Sequence, residues 1–170
     1  MKINRKRGIL IFFLIAVALI LWVTLMDKNG VRTHDVSQLV SSKYDSVISN
    51  DFSVELIGDQ EISIKSETFD LGIRNGSDYM LYYGSMYVLE VLYNEEWYKV
   101  PYVEGVQWFT LVEFWLDAHS YRESGVGLVG YELYPGKYRI VKEFDVQIPE
   151  DENGEGRREE ILVSFEFNLY

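Results

Sequence analysis

The chain has 170 residues, 27 acidic against 16 basic for a formal charge of −11, and no cysteine. That balance argues against a nucleic-acid partner, which calls for clustered Lys and Arg to displace counterions from phosphates. It also removes disulfides and thiol chemistry, leaving stability to burial, for which an aromatic content of 15% supplies material.

Lys2, Arg5, Lys6 and Arg7 precede an uncharged apolar run from Ile9 to Met26, which as a helix extends roughly 27 Å, close to the thickness of a bilayer core. The positive flank places residues 1–8 on the cytoplasmic side and the rest of the chain outside. A cleaved secretory signal has a shorter apolar region followed by small residues. Here the only Ala-x-Ala, Ala16-Val17-Ala18, lies inside the run, and Leu25-Met26-Asp27 ends it. The expectation is an uncleaved single-pass anchor over residues 9–26, with secretion after cleavage as the alternative. All 27 acidic residues lie beyond Met26 with 12 of the basic ones, a formal −15 for that part. Residues 27–50, rich in Ser, Asn and Asp, read as a stalk, with a loose helical pattern over Val36 to Ser49.

From residue 51 the apolar period becomes two, the signature of half-buried strands. Phe52, Val54 and Leu56 form one alternating set, Ile62 and Ile64 a second, and Phe69, Leu71 and Ile73 a third. Asn75-Gly76-Ser77-Asp78 then supplies a turn. Met86 to Tyr93 and Glu96 to Tyr102 flank Asn94-Glu95 as a hairpin closed at its edge by Pro101. Gln107 to Leu116 is a longer apolar run with Trp108 and Trp115, and Ser124 to Gly127 reads as a turn or bulge. Pro135-Gly136 introduces a strand over Lys137 to Asp145, and Ile161, Val163, Phe165, Phe167 and Leu169 share one face of the last. About eight short strands between turn signals predict an all-β antiparallel sandwich over residues 51–170, with a barrel as the alternative.

The ordered pair of motifs Trp97-Tyr98-x-Val100-Pro101 and Pro135-Gly136-x-Tyr138-Arg139-Ile140, together with Arg74-Asn75-Gly76-Ser77-Asp78, Tyr82-Tyr83-Gly84 and Val88-Leu89-Glu90, resembles a family of bacterial immunoglobulin-like domains. The resemblance covers roughly residues 52 to 169. It implies an immunoglobulin-like sandwich in an exported or membrane-attached protein, and it supplies no catalytic residues. The chain departs from the family pattern at Asp117-Ala118-His119, where a Pro-Gly turn is usual.

Other features bear on chemistry. Asp151, Asn153 and Glu155 have alternate oxygen ligands like the start of a calcium loop, with Gly156 sixth, but position twelve is Leu162 where a bidentate Glu is needed. An acidic hairpin tip explains them better, and they stay weak metal candidates only. His34 and His119 lack metal-ligand spacing, and no Gly-x-Ser-x-Gly occurs. Trp97, Tyr98, Tyr102, Trp108 and Trp115 are candidates for a sugar-stacking platform, although strand alternation sets Trp97 and Tyr98 on opposite faces. Asn75-Gly76-Ser77 formally matches a glycosylation acceptor and is better explained as the turn. No catalytic residue, cofactor or metal is expected. The reading is a membrane-tethered extracytoplasmic module with a binding or accessory role, its partner an envelope protein or wall polymer. Carbohydrate binding or wall modification is one alternative; a calcium-responsive sensor is the other.

Overall fold

Alternation of apolar and polar residues is realised, among the described residues, as eleven strands in two sheets. The computed structural model describes residues 34–44, 52–103, 110, 112–150 and 156–170. Residues 9–26, the candidates Asp151, Asn153 and Glu155, and Trp108 lie outside them, and among the described residues no helix is long and apolar enough to cross a membrane.

The strands are β1 (Val40–Ser41), β2 (Val54–Gly58), β3 (Glu61–Ile62), β4 (Thr68–Asn75), β5 (Met80–Tyr83) and β6 (Val88–Tyr93). Then come β7 (Glu96–Lys99), β8 (Phe114–Leu116), β9 (Ser120–Gly127), β10 (Gly136–Ile148) and β11 (Arg157–Leu169). The smaller sheet runs β2-β4-β9. The larger runs β1-β7-β6-β10-β11-β3, with β5 and β8 attached to the far half of β10. All pairings are antiparallel except β3 with β11, which is parallel. The sandwich expected from the strand pattern is therefore present with one parallel edge.

The core lies between the sheets because period-two positions from both converge there. Ile161, Val163, Phe165, Phe167 and Leu169 of β11 and Tyr138, Ile140, Phe144 and Val146 of β10 are all buried, facing Val54, Leu56, Leu71, Ile73 and Val126. Phe69 and Phe167 meet across the layers with ring centroids 5.0 Å apart. Three local expectations change. Ser124 to Gly127 continues β9 rather than turning, because Asp70 and Thr68 of β4 stand opposite Gly125 and Gly127 and a backbone ladder needs no side chain. The pattern around Ile62 and Ile64 yields only two strand residues. Of the loose helical pattern over Val36 to Ser49, residues 45–49 lie outside the described residues, and the described part holds a single 3-10 turn at Val36–Gln38, capped by Asp35, that leads into β1.

Asn94 and Glu95 form the two-residue turn joining β6 to β7, with φ of 48° and 68°. A left-handed conformation strains an L-residue with a long side chain far more than glycine. Glu95→Gly is therefore expected to stabilise the domain by roughly 0.5–1 kcal/mol. A denaturation midpoint that does not rise would show that the Glu95 side chain contributes something the backbone strain conceals.

One edge of β10 is shared by two partners. Tyr82 of β5 stands opposite Asp145 and Val88 of β6 opposite Val141, so six residue steps face four. The two extra residues form a bulge between β5 and β6, and an even insertion keeps both strands in the same inward phase. Opposite it, Lys142 occupies an inward position among apolar neighbours. Its ammonium donates to the carbonyls of Gly84 at 2.6 Å and Met86 at 3.1 Å, both in the bulge. Burial pushes this amine down to about 8 from 10.5.

The sign of the resulting pH dependence follows directly. Between about 8 and 10.5 the unfolded chain holds a proton that the folded chain has released, so stability rises with pH across that window. Tyr87, Tyr131 and Tyr138 act oppositely: burial raises their phenols above 10.0, so their contribution is lost only at higher pH. Urea melts are expected to show unfolding free energy climbing by roughly 1–2 kcal/mol between pH 8 and 9.5. The climb should disappear in Lys142→Met. An equal climb in both proteins would mean that Lys142 titrates normally.

Candidate functional site

The two family motifs meet in space. Arg139 of β10 and Glu90 of β6 are directly opposite, and Arg139 Nε donates to Glu90 Oε2 at 2.7 Å with both side chains only 1% exposed. The guanidinium lies 4.5 Å from the ring centroid of Trp97 on β7, and Arg139 Nη2 reaches Ser42 Oγ at 3.4 Å. This pair sits on the side of the sheet away from the core, with Trp97 and Ser42 of the strap, residues 34–44, against Arg139. Tyr98 and Tyr138 flank Val91 in register on the opposite side, and Ile140 is fully buried there. The amide of Val100 extends the ladder to the carbonyl of Leu89, and Pro101 follows it. Tyr138 closes the Pro135-Gly136 turn, its hydroxyl donating to the Tyr134 carbonyl at 2.8 Å and accepting from the Tyr134 amide at 3.2 Å. The motif residues thus hold the sheet and its strap together.

The strap occupies the described part of the 27–50 span. His34 Nε2 lies 3.0 Å from the Tyr138 hydroxyl and the imidazole stands edge-on to Tyr134, centroids 4.8 Å apart. Since that hydroxyl already gives its proton to Tyr134, His34 donates. Burial lowers the imidazole below 6.5, against the opposing field of Glu132. Val40 and Ser41 pair with Lys99 and Tyr98, making β1 the outermost strand. His119, with φ of 52°, meets Asp78 at 2.8 Å on the surface turn that replaces Pro-Gly.

Asn75 is 1% exposed. Its amide donates to the carbonyls of Tyr79 (2.7 Å), Asp117 (2.9 Å) and Leu116 (3.3 Å), while Oδ1 accepts from the Ser77 amide (3.0 Å) and hydroxyl (2.7 Å). The formal glycosylation acceptor is therefore engaged on both sides in the fold. Gly76 beside it lies so close to Ser53 that a Cβ would be 2.7 Å from that carbonyl, which explains the glycine.

The aromatic candidates are dispersed. Trp97 is buried against the Arg139 guanidinium, Tyr98 packs on the core, and Tyr102 lies tilted against Tyr131 with centroids 4.0 Å apart. Trp115, 61% exposed, stands opposite Tyr82 on the outer side of β8 and β5. Among the described residues no group of three or more His, Asp or Glu side chains is placed to hold a metal ion.

A groove of about 640 Å³ lies on the outer side of the larger sheet where β5 and β6 part. Val88, Glu90, Val141, Glu143 and Asp145 belong to its floor strands; Val40 to Tyr44 of the strap form one wall; Tyr82, Met86, Lys99, Thr110, Val112 and Glu113 are among its other lining residues. Thr110 is tied to the bulge by its amide donating to Ser85 Oγ at 3.1 Å and by Ser85 Oγ donating to its carbonyl at 2.9 Å. The outward register of Val141, Glu143 and Asp145 was a sequence signal for the floor, but the bulge that opens the groove has none.

Residues 50–162 match the family described as bacterial Ig-like domain. No curated protein matches the chain. Among solved structures, the ASH/PapD-like domain of human CEP192 (PapD-like domain 7) is similar at 16% identity over 81% of this chain and 94% of that one, with a TM-score of 0.27, and that likeness carries no argument. The match over residues 50–162, on a two-sheet all-β fold, places this chain in the bacterial immunoglobulin-like domain family.

Proposed function

We propose that the chain is a membrane-tethered, extracytoplasmic module that binds a partner at the cell envelope without catalysing a reaction on it. The observation that carries this reading is how the buried polar groups are spent. Arg139, Glu90, Asn75 and Lys142 are all engaged in holding strands, turns or the bulge. What the domain offers outward is a groove with a mixed apolar and acidic lining. The apolar run 9–26 with its basic flank supports the tether. In this reading a rigid sandwich presents the groove near the membrane.

Proximity cross-linking in living cells with the full chain tests it. A reproducible envelope protein, lost when residues from 51 onward are deleted and the anchor kept, is the expected outcome. Turnover of a wall polymer by the purified protein, or the absence of any partner that depends on the domain, would overturn it.

A further inference from the structure

We propose that the groove receives an extended peptide segment of a partner protein, with a Lys or Arg side chain set against Glu143 and apolar neighbours along Met86 and Val112. This rests on the reading of the chain as a binding module. Glu90, Glu113, Glu143 and Asp145 line the groove against two lysines, Lys43 and Lys99. The acids are not equivalent. Glu90 is held by Arg139; Glu113 and Asp145 share Arg158, at 3.1 and 3.9 Å. Glu143 is exposed on the floor and has no ion-pair partner among the described residues. The lysines belong to the strap side, Lys99 directly opposite Glu90 and Lys43 over the Tyr44 ring at 5.0 Å. A cation is therefore drawn to the Glu143 end.

The walls suit the stem of such a side chain. Met86 and Val112 are 62% and 52% exposed, and long basic residues lay their methylenes on apolar surface while the charged head reaches a carboxylate. A thioether wall also adapts to neighbours of varied shape. The volume of about 640 Å³ is that of a small-ligand or short-peptide site rather than a flat globular interface. An overall charge of −11 steers a basic segment inward and repels polyanions. A sugar chain is the poorer occupant, because acidic side chains on the lining give a neutral saccharide no charge to match and, among the described residues, the exposed Trp115 is not part of the lining.

The test uses the full chain in detergent micelles and a positional-scanning library of end-blocked octapeptides. Selection of Lys or Arg flanked by Val, Ile or Leu is expected. Affinity for the selected peptide should fall about tenfold or more in Glu143→Lys, and likewise in Val112→Asp. It should be unchanged in Glu61→Lys, which lies on β3 away from the groove. Both groove substitutions are at exposed positions, so retained far-UV circular dichroism separates lost binding from unfolding. Selection of acidic peptides, no selection, or equal affinity in both groove variants would overturn the proposal, as would saccharide retention or self-association that blocks the groove. A partner still cross-linked in cells by Glu143→Lys sinks the groove assignment alone. Absence of any domain-dependent partner sinks the module itself.

Discussion

Asn75→Asp should destabilise the domain by about 3–5 kcal/mol at neutral pH, the largest effect expected of any single isosteric change in this chain. The substitution replaces a donor by an acceptor at a site where three carbonyl oxygens, of Tyr79, Leu116 and Asp117, converge on the amide nitrogen. A carboxylate there is buried and faces only acceptors on that side. Its partners from Ser77 remain on the other oxygen, so the loss is local and the fold has no simple way to relax it. The same logic gives the pH signature. Burial and the facing carbonyls raise the folded-state pKa of the new carboxyl above its unfolded value near 3.9. The penalty is therefore full above the folded pKa and shrinks as pH falls toward the unfolded one, where a neutral acid can donate one hydrogen bond. Asn75→Ala, which leaves the same acceptors unpaired without adding charge, should lose about 2–4 kcal/mol with little dependence on pH. Urea denaturation of the three proteins across acid pH distinguishes these outcomes. An Asp variant as stable as wild type at pH 7 would show that the turn opens to solvent.

Arg139→Met is the second large effect, with a loss of about 3–5 kcal/mol expected because Glu90, 1% exposed, is left as a buried charge without its partner. Glu90→Leu alone should be comparably damaging, stranding the guanidinium under Trp97. The double variant Arg139→Met/Glu90→Leu should recover most of the loss, since replacing a buried pair with apolar side chains of similar volume is often neutral. The coupling energy from the cycle reads the pair directly. Recovery also reports on the strap: Ser42 contacts Arg139, and β1 pairs with β7 next to it. If each single change costs under about 1 kcal/mol, water reaches the pair.

These two sites show how unevenly the chain disclosed itself. The alternation in Ile161 to Leu169 was enough to assign a buried face, because a strand places every second side chain on one side whatever it pairs with. Likewise the motif pair Trp97-Tyr98 and Tyr138-Arg139 marked the family, yet nothing in either string shows that Trp97 would cover Arg139 or that Glu90 would be its counter-ion. That meeting depends on β6 lying between β7 and β10. The residue most informative about the interior, Lys142, resembled an ordinary polar position. Only the two-residue bulge opposite it turns its ammonium into a donor for Gly84 and Met86.

Local order was thus determined by the sequence alone: the strand period, the turns at Asn94-Glu95 and Pro135-Gly136, and the all-β class. These follow from backbone sterics and from the two-residue repeat, which act over a few neighbours. The tertiary structure decided which strands became edges, where the sheet parted to open the groove, and that residues 34–44 form a strap. It also decided that Asn75, a formal acceptor in the sequence, is a buried hub. Each of these results from pairings between residues tens of positions apart, whose register no local pattern encodes.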